Sequence, residues 1–133
     1  MESIYQEQIL NLAKYAKLYK KIKNYNYIAE VHNPTCGDKI ITKILVKNNK
    51  LVDFGVDIWG CALCEAGAGL WLRNVVDYDF EKLFHLEKEV NDWIKGRTKY
   101  TKLKYLENFE PIKKIKNRHK CVTLAFDTYK KFK

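Results

Sequence analysis

The feature that most constrains the fold of this chain is a pair of apolar segments joined by two asparagines. Lys39 to Val46 is rich in Ile and Val, and Val52, Phe54, Val56 and Ile58 alternate with Asp53, Gly55 and Asp57. Alternation sends every second side chain to the same face, so the second segment reads as a half-buried β-strand. Asn48-Asn49 supplies the turn between them, because Asn tolerates left-handed backbone angles. Tyr27 to Val31 is a further short strand candidate, which makes an antiparallel meander of three strands. Such a sheet has one apolar face to bury, and helices must cover it.

Helical spacing accounts for most of the rest. In residues 3–22, Tyr5, Ile9, Leu12, Ala16 and Tyr19 form one apolar stripe, with Ser3 as the expected N-cap. Lys14, Lys17, Lys20, Lys21 and Lys23 follow in the half where cations suit the helix dipole. After Ala62, the residues Ala66, Leu70 and Trp71 share a side, and Gly67 and Gly69 allow close packing. A further helix is expected from Asp79, as N-cap, to Gly96, carrying Leu83, Leu86, Val90 and Ile94. Residues 98–109 are lysine-rich without clear period, and Pro111 is expected to break the chain. Cys121, Leu124, Ala125, Thr128, Tyr129 and Phe132 place a helix at the C-terminal end. The fold class is therefore α+β: a three-stranded antiparallel sheet packed against helices, in a single domain covering residues 1–133.

Composition excludes several classes. Hydrophobic residues make up 47% of the 133, which is a globular and not a disordered composition. No run approaches the ~18 apolar residues of a membrane span. Met1 to Leu10 holds two Glu and no basic region before an apolar run, so no secretory signal is expected and the expected location is cytoplasmic. The net charge is +9, from 25 Lys+Arg against 16 Asp+Glu. Only Arg73, Arg97 and Arg118 are arginines, and Lys is the weaker choice for bidentate phosphate recognition, so charge alone is a poor argument for nucleic-acid binding.

Four cysteines, Cys36, Cys61, Cys64 and Cys121, in a chain expected to stay in a reducing compartment point to metal or catalysis before disulfides. Cys36 lies in Asn33-Pro34-Thr35-Cys36-Gly37-Asp38, a turn that can aim the Cys36 thiol and the Asp38 carboxylate at one point. Thiolate with carboxylate suits zinc, or iron with one hard ligand. Cys61 follows Gly60 at a strand-to-helix junction, where a helix N-terminus favours thiolate. Cys121 sits at an expected helix start beside Arg118, His119 and Lys120, which favour thiolate too. The competing reading is burial, since free Cys is among the most buried residue types. Cys64 completes a C-x-x-C pair with Cys61 and stands open between accessory ligand and packed small residue. His119 is a ligand candidate or a basic neighbour, and His32 and His85 read as ordinary loop and surface histidines. Trp59, Trp71 and Trp93 read as core.

Three segments carry a family resemblance: Asn33-Pro34-Thr35-Cys36-Gly37-Asp38, Gly60-Cys61-Ala62-Leu63, and Arg118-His119-Lys120-Cys121-Val122-Thr123-Leu124-Ala125. In this order they resemble the three cysteine motifs of the NifU-like (IscU/SufU) iron–sulfur cluster scaffold family, over nearly the whole chain. The resemblance implies the same α+β fold, with the cysteines clustered at one end. It implies Cys36, Cys61 and Cys121 as thiolate ligands of a nascent 2Fe–2S cluster or of zinc, and Asp38 as a fourth, weaker ligand. A carboxylate is harder and poorer for cluster iron, which keeps the cluster labile enough to pass on.

The implied function is an assembly scaffold and not an enzyme with a small substrate. A cysteine desulfurase supplies sulfur, an iron donor supplies iron, and apo iron–sulfur proteins receive the product. The departures point to the SufU-like branch, whose alternative role is a zinc-bound sulfur acceptor and relay. Lys120 precedes the last cysteine where the IscU branch has His, and His119 is one residue earlier. Cys61 and Cys121 are 60 positions apart, longer than in the IscU branch, with the extra stretch at Trp93 through Pro111. The Leu-Pro-Pro-Val-Lys chaperone motif is absent. Leu63-Cys64 replaces the usual Ile-Ser, so a fourth thiol stands near the site to tighten metal binding or form a persulfide. A third reading, a structural zinc module on nucleic acid, predicts steeply salt-dependent binding.

Overall fold

The computed structural model describes residues 3–19, 22–35 and 37–133. Strands β1 (Tyr27–Asn33), β2 (Asp38–Lys47) and β3 (Lys50–Trp59) form one antiparallel sheet in the order β1-β2-β3. Helices α1 (Ser3–Lys17), α2 (Ala62–Val75), α3 (Leu83–Ile94) and α4 (His119–Thr123) accompany it, and α4 runs on into a 3₁₀ segment, Leu124–Lys131. No described helix is long and apolar enough to cross a membrane.

The asparagine turn forms as its chemistry demands: Asn48 and Asn49 take φ of 51° and 63°, and Lys47 pairs with Lys50. Alternation then sets the buried face, with Ile40, Thr42 and Ile44 of β2 fully buried. In β3 the expected alternation slips once. The register runs Ile44 to Phe54 and Leu45 to Asp53, then Val46 to Leu51, so Val52 is a bulge residue. Val52 is 42% exposed and Leu51 takes the core position instead.

Helix α2 is mostly apolar and mostly buried between Leu63 and Val75, with Glu65, Arg73 and Asn74 on its outer side. Its glycines let two other helices reach its backbone. A Cβ on Gly69 would stand 2.0 Å from the Leu12 carbonyl oxygen of α1, and one on Gly67 would stand 2.4 Å from the Val122 carbonyl oxygen of α4. Phe54 of β3 meets Trp71 of α2 edge to face at 6.3 Å, joining sheet to helix.

Each sheet edge is met by backbone from another segment at one residue. The Val56 N–H donates to the Tyr19 carbonyl, and Ile28 and Lys133 exchange two backbone hydrogen bonds of 3.1 Å. The first of these explains why α1 stops at Lys17 and not at residue 22. Leu18 and Tyr19 bond three residues back, and the chain then leaves the helix for the edge of β3. Lys14 and Lys17 are thus the cations of its last turn, while Lys20 and Lys21 lie outside the described residues. Ser3, expected as the N-cap, is the first residue of α1, and its side chain is also outside the described set.

Asp79 does not cap. A 3₁₀ turn, Phe80–Lys82, intervenes before α3, and the Asp79 carboxylate pairs with Lys50 and with Lys82 at 3.6 Å. The Lys50 ammonium holds that carboxyl below the usual carboxylate range. The far end of α3 matches expectation: the N–H of Arg97 reaches the Asp92 carbonyl at 2.8 Å and that of Gly96 reaches Trp93 at 3.1 Å, a Schellman pair. Pro111 does not break the chain. It lies inside a 3₁₀ segment, Leu106–Lys114, whose Leu106, Phe109 and Ile112 are buried at the three-residue period. Proline's fixed φ of about −65° fits that geometry.

Two substitutions test this packing. Gly69→Ala must push α1 off α2, and a loss of about 2–3 kcal/mol or more is expected in denaturant unfolding. Thr42 Oγ1 is the one buried side-chain polar atom without a hydrogen bond among the described residues. Thr42→Val removes that orphan at nearly constant shape and is expected to stabilise the protein, by about 1 kcal/mol, in the same measurement.

Candidate metal centre

One end of the sheet gathers the chemistry. Asn33 ends β1 and Asp38 opens β2, and the two are paired in register. The Asn33 side chain accepts the Thr35 N–H at 3.2 Å and its carbonyl accepts the Gly37 N–H at 2.8 Å. This closed loop delivers the Asp38 carboxylate into a nearly dry place, at 4% exposure. Cys36 lies outside the described residues.

Across the hairpin, Lys39 pairs with Trp59, the last residue of β3. Two residues on, Cys61 is the N-cap of α2, extended at φ −76° and ψ 172°, and its carbonyl accepts the first helical bond from Glu65. Its side chain makes no cap hydrogen bond, so the half-buried sulfur stays available to the site. Cys121 arrives from α4, buried at 1% exposure. The donor atoms of Asp38, Cys61 and Cys121 all lie within 4.8 Å of one another.

Two neighbours shape this group. Arg118 donates from Nη2 to the Cys61 sulfur at 3.4 Å, so a guanidinium charge faces the thiol. Gly60 lies against the carboxylate: a Cβ there would stand 2.7 Å from Asp38 Oδ1 and 3.1 Å from the Cys64 Cβ. Sequence reasoning gave Arg118 to the surroundings of Cys121 and missed its contact with Cys61. Gly60 reads in the sequence only as the residue before Cys61 at the junction, and its place against Asp38 needs the fold.

The donor set suits metal. Zinc bonds of about 2.3 Å to sulfur and 2.0–2.2 Å to oxygen hold tetrahedral donors roughly 3.5–4 Å apart. Three donors already within 4.8 Å need only a small closing movement to hold one ion. A two-iron cluster would spread them further, since its ligands divide between two metals.

The accessory candidates fall elsewhere. Cys64 is fully buried one turn into α2, and neither it nor His119 is in the donor group. His119 Nε2 lies 3.1 Å from the Ile112 carbonyl and 2.9 Å from that of Lys113, so its N–H ties down the preceding 3₁₀ segment. Lys120 extends to the Asp127 carboxylate. Trp71 and Trp93 are core as expected, but Trp59 is 50% exposed beside the site, with the Lys39 ammonium 4.2 Å above its ring. His32 and His85 are exposed, His32 bonded to Glu30 and His85 against Phe84.

Fold and donor group together describe a small α+β protein with sulfur and carboxylate donors converging at one end of its sheet. No family model matches the chain. It is 30% identical over 128 residues to the iron–sulfur cluster assembly scaffold protein IscU of Thermotoga maritima, covering 96% of this chain and 90% of that protein. It is 23% identical over 133 residues to the zinc-dependent sulfurtransferase SufU of Bacillus subtilis, covering 98% and 90%. Among solved structures it matches the scaffold protein of the SUF system from Fervidobacterium islandicum AW-1, with TM-score 0.84, 26% identity and coverage of 96% and 94%. The N-terminal NifU-like protein of Brucella abortus shares the fold, with TM-score 0.81, 24% identity and coverage of 94% and 88%. This chain belongs to the IscU/SufU family of iron–sulfur cluster assembly proteins.

Gly60→Ala tests the carboxylate's support. The added methyl displaces Asp38, and zinc affinity in chelator competition is expected to fall by about tenfold or more. An unchanged affinity would mean that Asp38 takes no part in holding the ion.

Proposed function

We propose that this protein is a scaffold on which a labile 2Fe–2S cluster, its cargo, is built from iron and desulfurase-derived sulfur and then passed to apo-proteins. The observation that carries this reading is the convergence of Asp38, Cys61 and Cys121 from three distant segments. With Cys36 they form the proposed ligand set. Its one carboxylate is the poor ligand that lets a cluster leave.

Sulfur would arrive as a persulfide on the desulfurase. A site thiolate attacks the terminal sulfur, a new S–S bond forms, and the enzyme thiolate departs. That sulfur needs two electrons to become bridging sulfide, so a reductant belongs to the reaction as well as an iron donor. Arg118 sets a guanidinium N–H 3.4 Å from the Cys61 sulfur, the half-buried thiol of the group. The protein turns over no small substrate in this reading, works in the cytoplasm, and uses residues 1–133 as one scaffold domain. Cys64, His119 and Lys120 act as support and not as ligands: Cys64 is packed in the core, and the other two engage Ile112, Lys113 and Asp127.

A second reading is favoured by the closeness of the donors. Donors within 4.8 Å of one another also suit a single zinc ion. Zinc would hold the thiolates ready, and the protein would accept and relay sulfur. Protein purified without oxygen from cells co-expressing a cysteine desulfurase separates the two. Iron and acid-labile sulfide in equal amounts, both lost in Cys61→Ala, is the expected result. One tightly held zinc, no sulfide and a stimulated desulfurase would move the assignment to the relay. No metal of either kind would sink both readings.

A further inference from the structure

Against α4, the helix that carries Cys121, lies a cleft of about 580 Å³ whose lining includes five cations and, among the described residues, no carboxylate. Lys95 and Arg97 come from the end of α3, Lys113 and Lys116 from the two 3₁₀ segments Leu106–Lys114 and Lys116–Arg118, and Lys120 from α4. We infer that this cleft is a docking site for an acidic segment of a protein partner, held along the helix that carries Cys121. That the partner is one of the scaffold's protein partners rests on the function proposed above; the charge of the cleft does not.

The walls are built before any partner arrives. The His119 ring N–H binds the Ile112 and Lys113 carbonyls, and the Lys113 ammonium sits 3.9 Å above the Trp93 ring. The Schellman turn of Gly96 and Arg97 fixes the opposite wall. Preorganised cations lose little freedom on binding. Lys95 and Lys116 are exposed and have no ion-pair partner among the described residues, so their full charge is available.

Position gives the cleft its use. Lys120 directly precedes Cys121, and Arg118, between Lys116 and Lys120, reaches the Cys61 sulfur at 3.4 Å. A chain seated in the cleft would lie along α4, the helix that carries Cys121.

The charge pattern favours a peptide over a nucleic acid. Four of the five cations are Lys, which lacks the bidentate fork that suits phosphate. Three already face carboxylates at the rim: Arg97 with Asp92 at 3.2 Å, Lys113 with Glu110 at 3.3 Å, and Lys120 with Asp127. Those carboxylates would repel a continuous row of phosphates but leave room for spaced Glu or Asp side chains.

The test uses the full chain and a fluorescein-labelled peptide bearing six glutamates, read by anisotropy at low and at physiological salt. Lys95→Glu with Lys116→Glu is expected to weaken binding by about tenfold or more. Lys14→Glu with Lys47→Glu makes the same change in net charge on distant exposed faces and is expected to shift binding less than about twofold. The neutral pair Lys95→Gln with Lys116→Gln should fall between, and serves if the reversed pair does not fold. Equal losses in both charge-reversed pairs, or no binding by the native chain, would overturn the proposal. A labelled single-stranded oligonucleotide that binds more tightly than the peptide, through the same lysines, would overturn it in favour of nucleic acid. Cys61→Ser should bind the peptide as the native chain does. Failure to assemble iron and sulfide would therefore count against the scaffold reading and leave the cleft standing.

Discussion

Everything at the metal end depends on how closely α2 can be approached. Its N-cap carries Cys61, and its flank must receive α4, which carries Cys121. Helix axes normally stand 8–10 Å apart because side chains separate them. At Gly67 and Gly69 nothing separates them, and the carbonyls of Val122 and Leu12 occupy the space where Cβ atoms would be. The two cysteines come from helices locked together by backbone contact, so their separation is a property of the core. The carboxylate depends on a similar economy of atoms, because only a glycine at position 60 leaves room for Asp38.

The electrostatics of this end follow from the same geometry. The Asp38 carboxylate and the Cys121 sulfur are buried, and Cys61 is half-buried, so little water reaches the space between the donors. The one charge seen to reach in is positive, the Arg118 guanidinium 3.4 Å from the Cys61 sulfur.

Where local chemistry decides, the structure was legible in the sequence. Two asparagines need no partner to take left-handed angles, and a period of two needs only a buried face, so the hairpin could be read. The closing of α3 at Gly96 was equally local. The bulge at Val52 was not, because one extra residue leaves the apolar pattern plausible while moving Leu51 into the core. The end of α1 was set by Tyr19 meeting β3, a contact across 37 positions that no window of sequence contains. Pro111 misled because the rule against proline is written for α-helices, and here the helix is 3₁₀. At the site, the motifs named Asp38, Cys61 and Cys121, while the role of Arg118 toward a sulfur 57 positions away required the fold.

The clamped sheet edges bear on how such a protein can change its associations. A backbone clamp from Tyr19 on β3, and one from Lys133 on β1, each interrupt the edge that a visiting strand would extend. Recognition by main-chain pairing is tolerant, since almost any sequence can supply the amides and carbonyls. Recognition through lysines, an exposed tryptophan and helix ends is selective, and single codon changes can rewrite it without disturbing the core. A lineage carrying this fold can therefore exchange one set of companions for another by surface drift alone, while the glycines and cysteines beneath stay as they are.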